Sequence, residues 1–482
     1  MKKIVSVEIG DPRLNDLIFE GFERLNQEFD LHAEAVGEAL HEVIENILIH
    51  AYESSEKFLI KTVFSLGEET LRVDVTDTGI PFDFSRYRSE SLSFPPDHSK
   101  GFYRIYDLVD RFYFSNIAGV GKCFTLIHSI DFSTEELQIT PTVHPSDRSD
   151  TLGISVRLFT SDDAEGIAKL IYRNYHYTYY KTLYYEAEAI RTANAKGDIL
   201  SVVATAQNEV IGHFALIPSA YADIGEIGAA VVDPKFKQMG VMNRMFDYVV
   251  STARQKGLKA IYGEGMMLHP YSQKANLRHG MIESAIMLGE VPSSMEIEHR
   301  MKTLKRSGVV IGYLLFDKQP RFLTLPLRYR EMIEETYRNG SISVNMPVDI
   351  PHPPHHPAIS YRLNSLLKTA TVVIESEIEA KELDAMLHEL MTSRCDMIFA
   401  DINLHRIGQI DAVVSLLNER LFFYSGVMFD CYHNEDYLRM QRKNTVEIEE
   451  EQLICYSPFA TRLLAFILED EASLFLPTQL GQ

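Results

Sequence analysis

Four groups of residues in this chain have types and spacings that can do chemistry. The first is the run Val231-Val232-Asp233-Pro234-Lys235-Phe236-Lys237-Gln238-Met239-Gly240-Val241-Met242. It reads as a buried strand stopped by a proline, a polar loop with one glycine, and a helix whose apolar face continues through Met245, Phe246 and Val249. The first turn of a helix leaves its N–H groups unpaired, and with the helix dipole they can hold a phosphate or pyrophosphate. Gly240 lets such a ligand come close. A plain crossover of any α/β domain has the same pattern. The second group is Glu42 and Asn46, four residues apart on one helix face: a carboxylate that can deprotonate water or a hydroxyl, and an amide oxygen that can ligate Mg²⁺. A solvated helix face looks similar. The third is Asp77-Thr78-Gly79, a carboxylate at a strand end that can receive an exocyclic amine, with a glycine that admits the base. The fourth is Glu264, His269 and Tyr271, acid and base candidates for a transfer in which an amine loses a proton and a thiolate gains one. Each is equally well an ordinary loop residue.

The elements that position these groups follow from periodicity. A helix is predicted over Glu34 to Tyr52, with Leu40, Val43, Ile44, Ile47 and Leu48 on its apolar stripe, then a hairpin of Phe58 to Phe64 and Thr70 to Val75 that delivers Asp77. Ser, Thr, Pro and Asp crowd residues 131–150, which read as a linker. From Ile154 the order is strand, helix capped by Thr160-Ser161-Asp162-Asp163, a tyrosine-rich stretch, three antiparallel strands, helix, strand and helix. The tyrosines from Tyr172 to Tyr185 are read first as packing and second as an acceptor pocket. Beyond residue 305 strand and helix alternate again, without a glycine loop. The stiff run from Pro347 to Pro357 is read as a spacer, its three histidines lacking the neighbours a metal site needs.

Length and composition bound the function. The 482 residues, 45% hydrophobic and 24% charged, suit about three globular domains. The net charge of −21, from 47 basic and 68 acidic residues, argues against nucleic acid or anionic membrane as partners. No apolar run is long enough for a membrane span, no signal core follows Lys2-Lys3, and four scattered cysteines suit a reducing compartment, so a cytoplasmic protein is expected.

Two resemblances sharpen this reading. Lys237-Gln238-Met239-Gly240-Val241-Met242 and the element order around it resemble the GNAT acetyltransferases, whose loop of Arg or Gln, two variable residues, Gly, a variable residue and Gly or Ala cradles the CoA pyrophosphate. Lys237 stands where that family usually has Arg or Gln, and Met242 where it has a small residue. The resemblance implies acetyl-CoA held by Val231, Val232, Lys237, Gln238, Met239, Gly240, Val241, Met242 and Asn276, with Glu264 as base and Tyr271 as acid. Glu42-Val43-Ile44-Glu45-Asn46 and Asp77-Thr78-Gly79-Ile80-Pro81 resemble the N box and adenine box of GHKL ATPases of the anti-sigma-factor serine kinase type. That implies ATP or ADP with Mg²⁺ on Asn46, Glu42 as general base, Asp77 on the adenine amine, Gly79 in the adenine pocket and Gly101 as the surviving lid glycine, Ser99 replacing the other.

The expected architecture is α/β (α+β): a GHKL sandwich over 1–130, a linker over 131–150, a GNAT domain over 151–305 and a degenerate GNAT-like domain over 306–482. The expected function is acetyl-CoA-dependent N-acylation of an amine, on a small molecule or a protein lysine, with the nucleotide module sensing ATP or binding a regulatory protein. The alternative is a serine kinase or anti-sigma-like switch with a GNAT-like scaffold, and a third reading is an interaction protein with both sites dead.

Overall fold

The computed structural model describes residues 3–29, 31, 33–52, 58–67, 70–84, 101–129, 153–237, 239–292, 296–297, 301–302, 305–350, 357–444, 446, 448 and 453–475. The expected linker, Ser99, Gln238 and most of the proline-histidine run therefore lie outside the described residues. The chain divides into two compact units: Met1–Lys196 with Val203–His213 and Val231–Met242, and Gly197–Val202 with Phe214–Ala230 and Asn243–Gln482.

The first unit begins with β1 (Lys3–Ile9), α1 (Asp16–Phe29), α2 (Glu34–His50), β2 (Ile60–Leu66), β3 (Thr70–Asp77), α3 (Gly101–Leu108), β4 (Arg111–Ile117) and β5 (Gly121–Ser129). Its sheet runs β1-β2-β3-β5-β4 with every neighbour antiparallel. Alternation in β2 buries Ile60, Phe64 and Leu66, and the apolar stripe of α2 buries Val36, Leu40, Val43, Ile44 and Ile47, so sheet and helix share one core. The rings of Phe82, Phe84, Phe102, Phe114 and Phe124 pack together, with centroids 4.7 Å apart at the closest pair. Each such ring, once buried, contributes roughly 1.5–3 kcal/mol.

The unit continues with β6 (Ser155–Leu158), α4 (Ala164–Tyr175) and α5 (Ala187–Lys196). Thr160 and Asp163 form a capping box ahead of α4, and Arg157 holds the Asp163 carboxylate from both nitrogens at 2.6 and 2.8 Å. Gly166 lies so close to Val210 that a Cβ would come within 2.7 Å of its methyl, so the missing side chain sets the approach of α4. The tyrosines are core residues here: Tyr172, Tyr177, Tyr179, Tyr184 and Tyr185 are all buried.

Three strands contribute residues to both units: β7 (Leu200–Ala206), β8 (Glu209–Pro218) and β9 (Ile224–Val232). There follow α6 (Val241–Gln255), β10 (Ala260–Met266), α7 (Tyr271–Arg278), β11 (Ile282–Val291), the short pair β12 (Glu296–Ile297) and β13 (Met301–Lys302), and β14 (Ser307–Leu315). Next are β15 (Arg321–Phe322), α8 (Arg330–Asn339), β16 (Val344–Asn345), β17 (Ile359–Asn364), β18 (Thr369–Ile374), α9 (Ala380–Thr392), β19 (Met397–Asn403), α10 (Ile410–Asn418), β20 (Phe423–Tyr432), β21 (Glu435–Lys443) and α11 (Pro458–Leu474).

In the second unit one topology occurs twice. β9 and β10 are parallel, joined through α6, and β14 inserts between β10 and β11. β18 and β19 are parallel, joined through α9, and β21 inserts between β19 and β20. The two sets meet where β11 pairs antiparallel with β20 at Ala285 and Gly426. Gly426 takes φ +148°, and a Cβ there would lie 2.3 Å from the Ala285 Cα. Gln441 reinforces the seam: its Oε1 accepts from Leu288 N at 2.9 Å, and its Nε2 donates to the carbonyls of Ile286 and Tyr424. All ten residues of β11 are buried. Beyond β21, Ser457 caps a further helix, with Pro458 at its first position. Among the described residues, no helix is long and apolar enough to cross a membrane.

Candidate functional site

The loop at the end of β9 lies in the first unit. Asp233 N donates to Ile211 O at 2.8 Å, and the Asp233 carboxylate accepts from Lys235 N at 2.9 Å and from Arg173, which fixes where the chain leaves the strand. Lys237, Met239 and Gly240 are exposed. Gly240 takes φ +74°, and nothing stands within 4 Å of the place a Cβ would occupy. Val241 opens α6 with no acidic residue in the first turn, so the unpaired N–H groups there face no competing carboxylate. Val231, Val232 and Val241 are buried and hold the loop's two ends, whereas Met242 is half-buried. An anionic, pyrophosphate-bearing group fits this donor set.

In the second unit β9 and β10 are paired from Ile224–Ala260 to Ile227–Gly263, and then part, although β10 runs on to Met266. Ala229 takes φ +46° within β9, a left-handed residue of the kind that makes a bulge and re-aims the backbone. Sequence reasoning had no means to find it, because alanine carries no mark of that conformation.

Alternation along β10 puts Tyr262 and Glu264 on one partly exposed face, and register puts Glu226 opposite Tyr262. Burial, with Glu226 and Glu264 nearby, pushes the Tyr262 hydroxyl well above its ordinary value, so it stays protonated. Glu226 and Tyr262 were missed by sequence reasoning; Tyr262 lies two residues before Glu264 on the same strand, which was an available signal, whereas the place of Glu226 depends on the pairing register of β9 and β10. Tyr271 stands apart: it is 71% exposed at the start of α7, its ring against His269. Asn276 sits in the last turn of α7, its carbonyl accepting from His279 N and Met281 N, and it lies beside Gln273, Met281, Glu283 and Gly312 around a crevice too narrow for a water molecule.

The N-terminal candidates are drawn together, but they engage one another. Glu42 Oε2 accepts from Gly101 N at 3.0 Å, and its Oε1 faces Arg104 at 3.3 Å, so both oxygens of the expected general base are occupied. Asn46 donates from Nδ2 to the Glu42 carbonyl at 2.7 Å. Asp77 is fully buried, with Lys122 Nζ 2.9 Å from its Oδ1 and Gly79 N donating to the same oxygen. Burial pushes the Asp77 carboxyl up, against the pull of Lys122. Its Oδ2 is buried and has no hydrogen-bond partner among the described residues. Gly79 is shaped for packing, since a Cβ would lie 2.2 Å from Ala51 O. Tyr172 and Tyr177 donate to the carbonyls of Thr78 and Gly79 and so hold this turn from α4 and the residues after it. The orphaned Asp77 oxygen fits the amine of a nucleobase; the Glu42 end does not fit a catalytic Mg²⁺–phosphate centre, because Arg104 already holds the base.

The second topological repeat differs where it matters for phosphate. β18 and β19 stay paired from Thr369–Met397 to Ile374–Ile402, the full length of β18, without parting. α9 is approached through Glu375, Glu377 and its cap Glu379, which repel an anion from the helix end.

Residues 164–280 match the Acetyltransferase (GNAT) family. No curated protein matches the chain. Among solved structures, the ribosomal-protein-S18-alanine N-acetyltransferase of Escherichia coli is 12% identical, with 34% of this chain and 94% of that one covered and a TM-score of 0.28. The ribosomal-protein-S5-alanine acetyltransferase of Vibrio fischeri is 15% identical, with 35% and 98% covered and a TM-score of 0.29. A putative acetyltransferase of Salmonella typhimurium, solved with acetyl-CoA, is 12% identical, with 34% and 95% covered and a TM-score of 0.29. Likeness at this level carries no argument about activity. Residues 164–280 carry a GNAT acetyltransferase domain on the strength of the family match.

Proposed function

We propose that this acetyltransferase domain makes the chain an acetyl-CoA-dependent N-acetyltransferase acting on an amine, borne by a small molecule or a protein lysine. The observation that carries the reading is the end of β9: Gly240 at φ +74° with open space beside it, followed by a helix whose first turn has no acidic residue. The N–H groups of that turn and Lys237 bind the pyrophosphate, with Val231 and Val232 lining the approach. Acetyl-CoA, when bound, supplies an acetyl group activated as a thioester. Glu264 takes the proton from the attacking ammonium, and Tyr262, kept protonated by burial, gives one to the departing sulfur. Tyr271 is the alternative donor, and substitution separates the two: the true acid loses about 10²-fold or more in kcat as Phe, the other little.

The repeated topology supports a degenerate GNAT-like second half, without a pyrophosphate loop of its own. The four cysteines are free, which suits the cytoplasm. A second reading is favoured by the buried, unpartnered Asp77 oxygen: the N-terminal sandwich, GHKL-like in its boxes, binds ATP or ADP as a sensor without transferring phosphate. ATP is then expected to raise the unfolding temperature of the wild type and not of Asp77→Asn, with no phosphoprotein formed.

The direct test of transfer is release of the CoA thiol from acetyl-CoA, with spermidine and a lysine-containing peptide as acceptors. Glu264→Gln is expected to lower kcat about 10²-fold while acetyl-CoA still binds. No thiol release with any amine would overturn the reading.

A further inference from the structure

We propose that Arg173 is a positioning residue for acetyl-CoA, and that α4 carries it so that the five-stranded N-terminal sheet sets the affinity of the loop at the end of β9. The inference rests on the acetyl-CoA reading of that loop and adds what holds the loop in its binding shape.

Arg173 stands in the last turn of α4, and its guanidinium donates to Asp233 Oδ2 at 3.3 Å. Asp233 is 5% exposed, and its other oxygen accepts from Lys235 N, so this one carboxylate ties the start of the loop to the helix. Asp233 also lies in the segment that leads to Gly240, where a buried carboxylate without a counter-charge would repel an incoming pyrophosphate. Arg173 therefore cancels that charge and fixes the direction in which the loop departs.

Tyr172, its neighbour in sequence, points another way, since consecutive helix residues are turned by about 100° around the axis. Its hydroxyl donates to Thr78 O at 2.7 Å. Just past α4, His176 takes φ +46°, a conformation that histidine keeps only where its surroundings enforce it. The chain turns there, and Tyr177 donates to Gly79 O at 3.2 Å while its own carbonyl accepts from Gly119 N at 2.6 Å. Burial, with Asp77 nearby, pushes the Tyr177 hydroxyl well above its ordinary value, so it stays a donor. The next carbonyl, Ile80 O, accepts from Lys122 Nζ at 2.8 Å, the group that also pairs with Asp77. The turn after β3 thus has three consecutive carbonyls taken by side chains, two of them from α4 and the residues behind it. Asn116 adds a further anchor from β4, donating to Tyr185 O at 2.8 Å. All of these residues belong to the first compact unit. Two side chains next to each other in sequence therefore join the turn after β3 to the loop after β9, and a displacement of that turn reaches Asp233 through one helix end.

Calorimetric titration of acetyl-CoA into the full-length protein, with initial rates on spermidine, tests this. Arg173→Met is expected to raise the acetyl-CoA Kd at least about tenfold and Arg173→Lys less than about threefold, while Arg173→Met/Asp233→Asn recovers most of the loss because no lone carboxylate remains. Tyr172→Phe/Tyr177→Phe, which removes only the two hydroxyls, is expected to raise the Kd at least about fivefold. In all of them kcat at saturating acetyl-CoA stays near the wild-type value. Ile18→Val trims the core between sheet and helix, and is expected to lower the unfolding temperature without moving the Kd, which separates affinity from stability. Equal Kd in folded Arg173→Met and wild type, or a charge-neutral double variant no better than Arg173→Met, would overturn the role of Arg173. Unchanged Kd in the folded tyrosine variant, or an equal rise in Ile18→Val, would overturn the link to the sheet. Failure of the wild type to bind acetyl-CoA would overturn the acetyl-CoA reading itself, and this inference with it.

Discussion

Lys122 and Asp77 are exposed by only 1% and 0%, so each charge depends on the other. Lys122→Met leaves a buried carboxylate alone and is expected to cost about 3–5 kcal/mol in urea unfolding, with much of the loss recovered in the Asp77→Asn/Lys122→Met double variant. Equal losses in the single and double variants would contradict this. Glu283 gives the pH-dependent case. Burial raises its carboxyl above the ordinary value, partly offset by the hydroxyl of Ser457. A pKa raised by folding contributes stability that is full below the unfolded value and is lost as pH rises through the folded one. Glu283→Gln should therefore gain stability relative to wild type as pH rises above the ordinary carboxylate range, read from melting temperatures measured across pH. At this scale the sequence showed which side chains could do chemistry, but not their partners. Asp77 read as an amine acceptor and Glu42 as a base; that Lys122 and Arg104 hold them depends on strand register and helix packing between distant segments.

The helices α6 and α9 occupy equivalent places in the repeated topology, yet α6 opens without an acidic residue in its first turn after a glycine loop, whereas α9 is capped by Glu379 with Glu382 behind it. Gly240→Val is expected to weaken acetyl-CoA binding at least tenfold, because valine resists φ +74° and its side chain would fill the open space through which the ligand approaches, while costing about 1–2 kcal/mol of stability. Gly426→Val acts on the seam instead: its side chain would enter the Ala285 backbone, and a loss of about 3 kcal/mol in chemical unfolding is expected. Element order was largely readable, since apolar periodicity marks α2, α6 and the strands around them. The pairing of β11 with β20 was not, because a fully buried strand carries no alternation to fix its neighbour. The helix α11 carried a signal that went unused, Ser457 followed by Pro458.

The chain holds a five-stranded antiparallel sheet and a topology used twice, and the two uses are unequal. The first keeps a glycine loop and parting strands; the second keeps its strands closed and its helix end acidic. Alternation of strand and helix made the recurrence of elements visible in the sequence, whereas the division into compact units passes through β7, β8 and β9, where no shift of composition marks it. Everything proposed for the first use depends on acetyl-CoA entering at the end of β9. Calorimetric titration of acetyl-CoA into the full-length wild type and Gly240→Val tests this most directly. Saturable binding by the wild type, weakened at least tenfold in a folded variant, is the expected result; no binding by the wild type, or equal affinity in both, would contradict it.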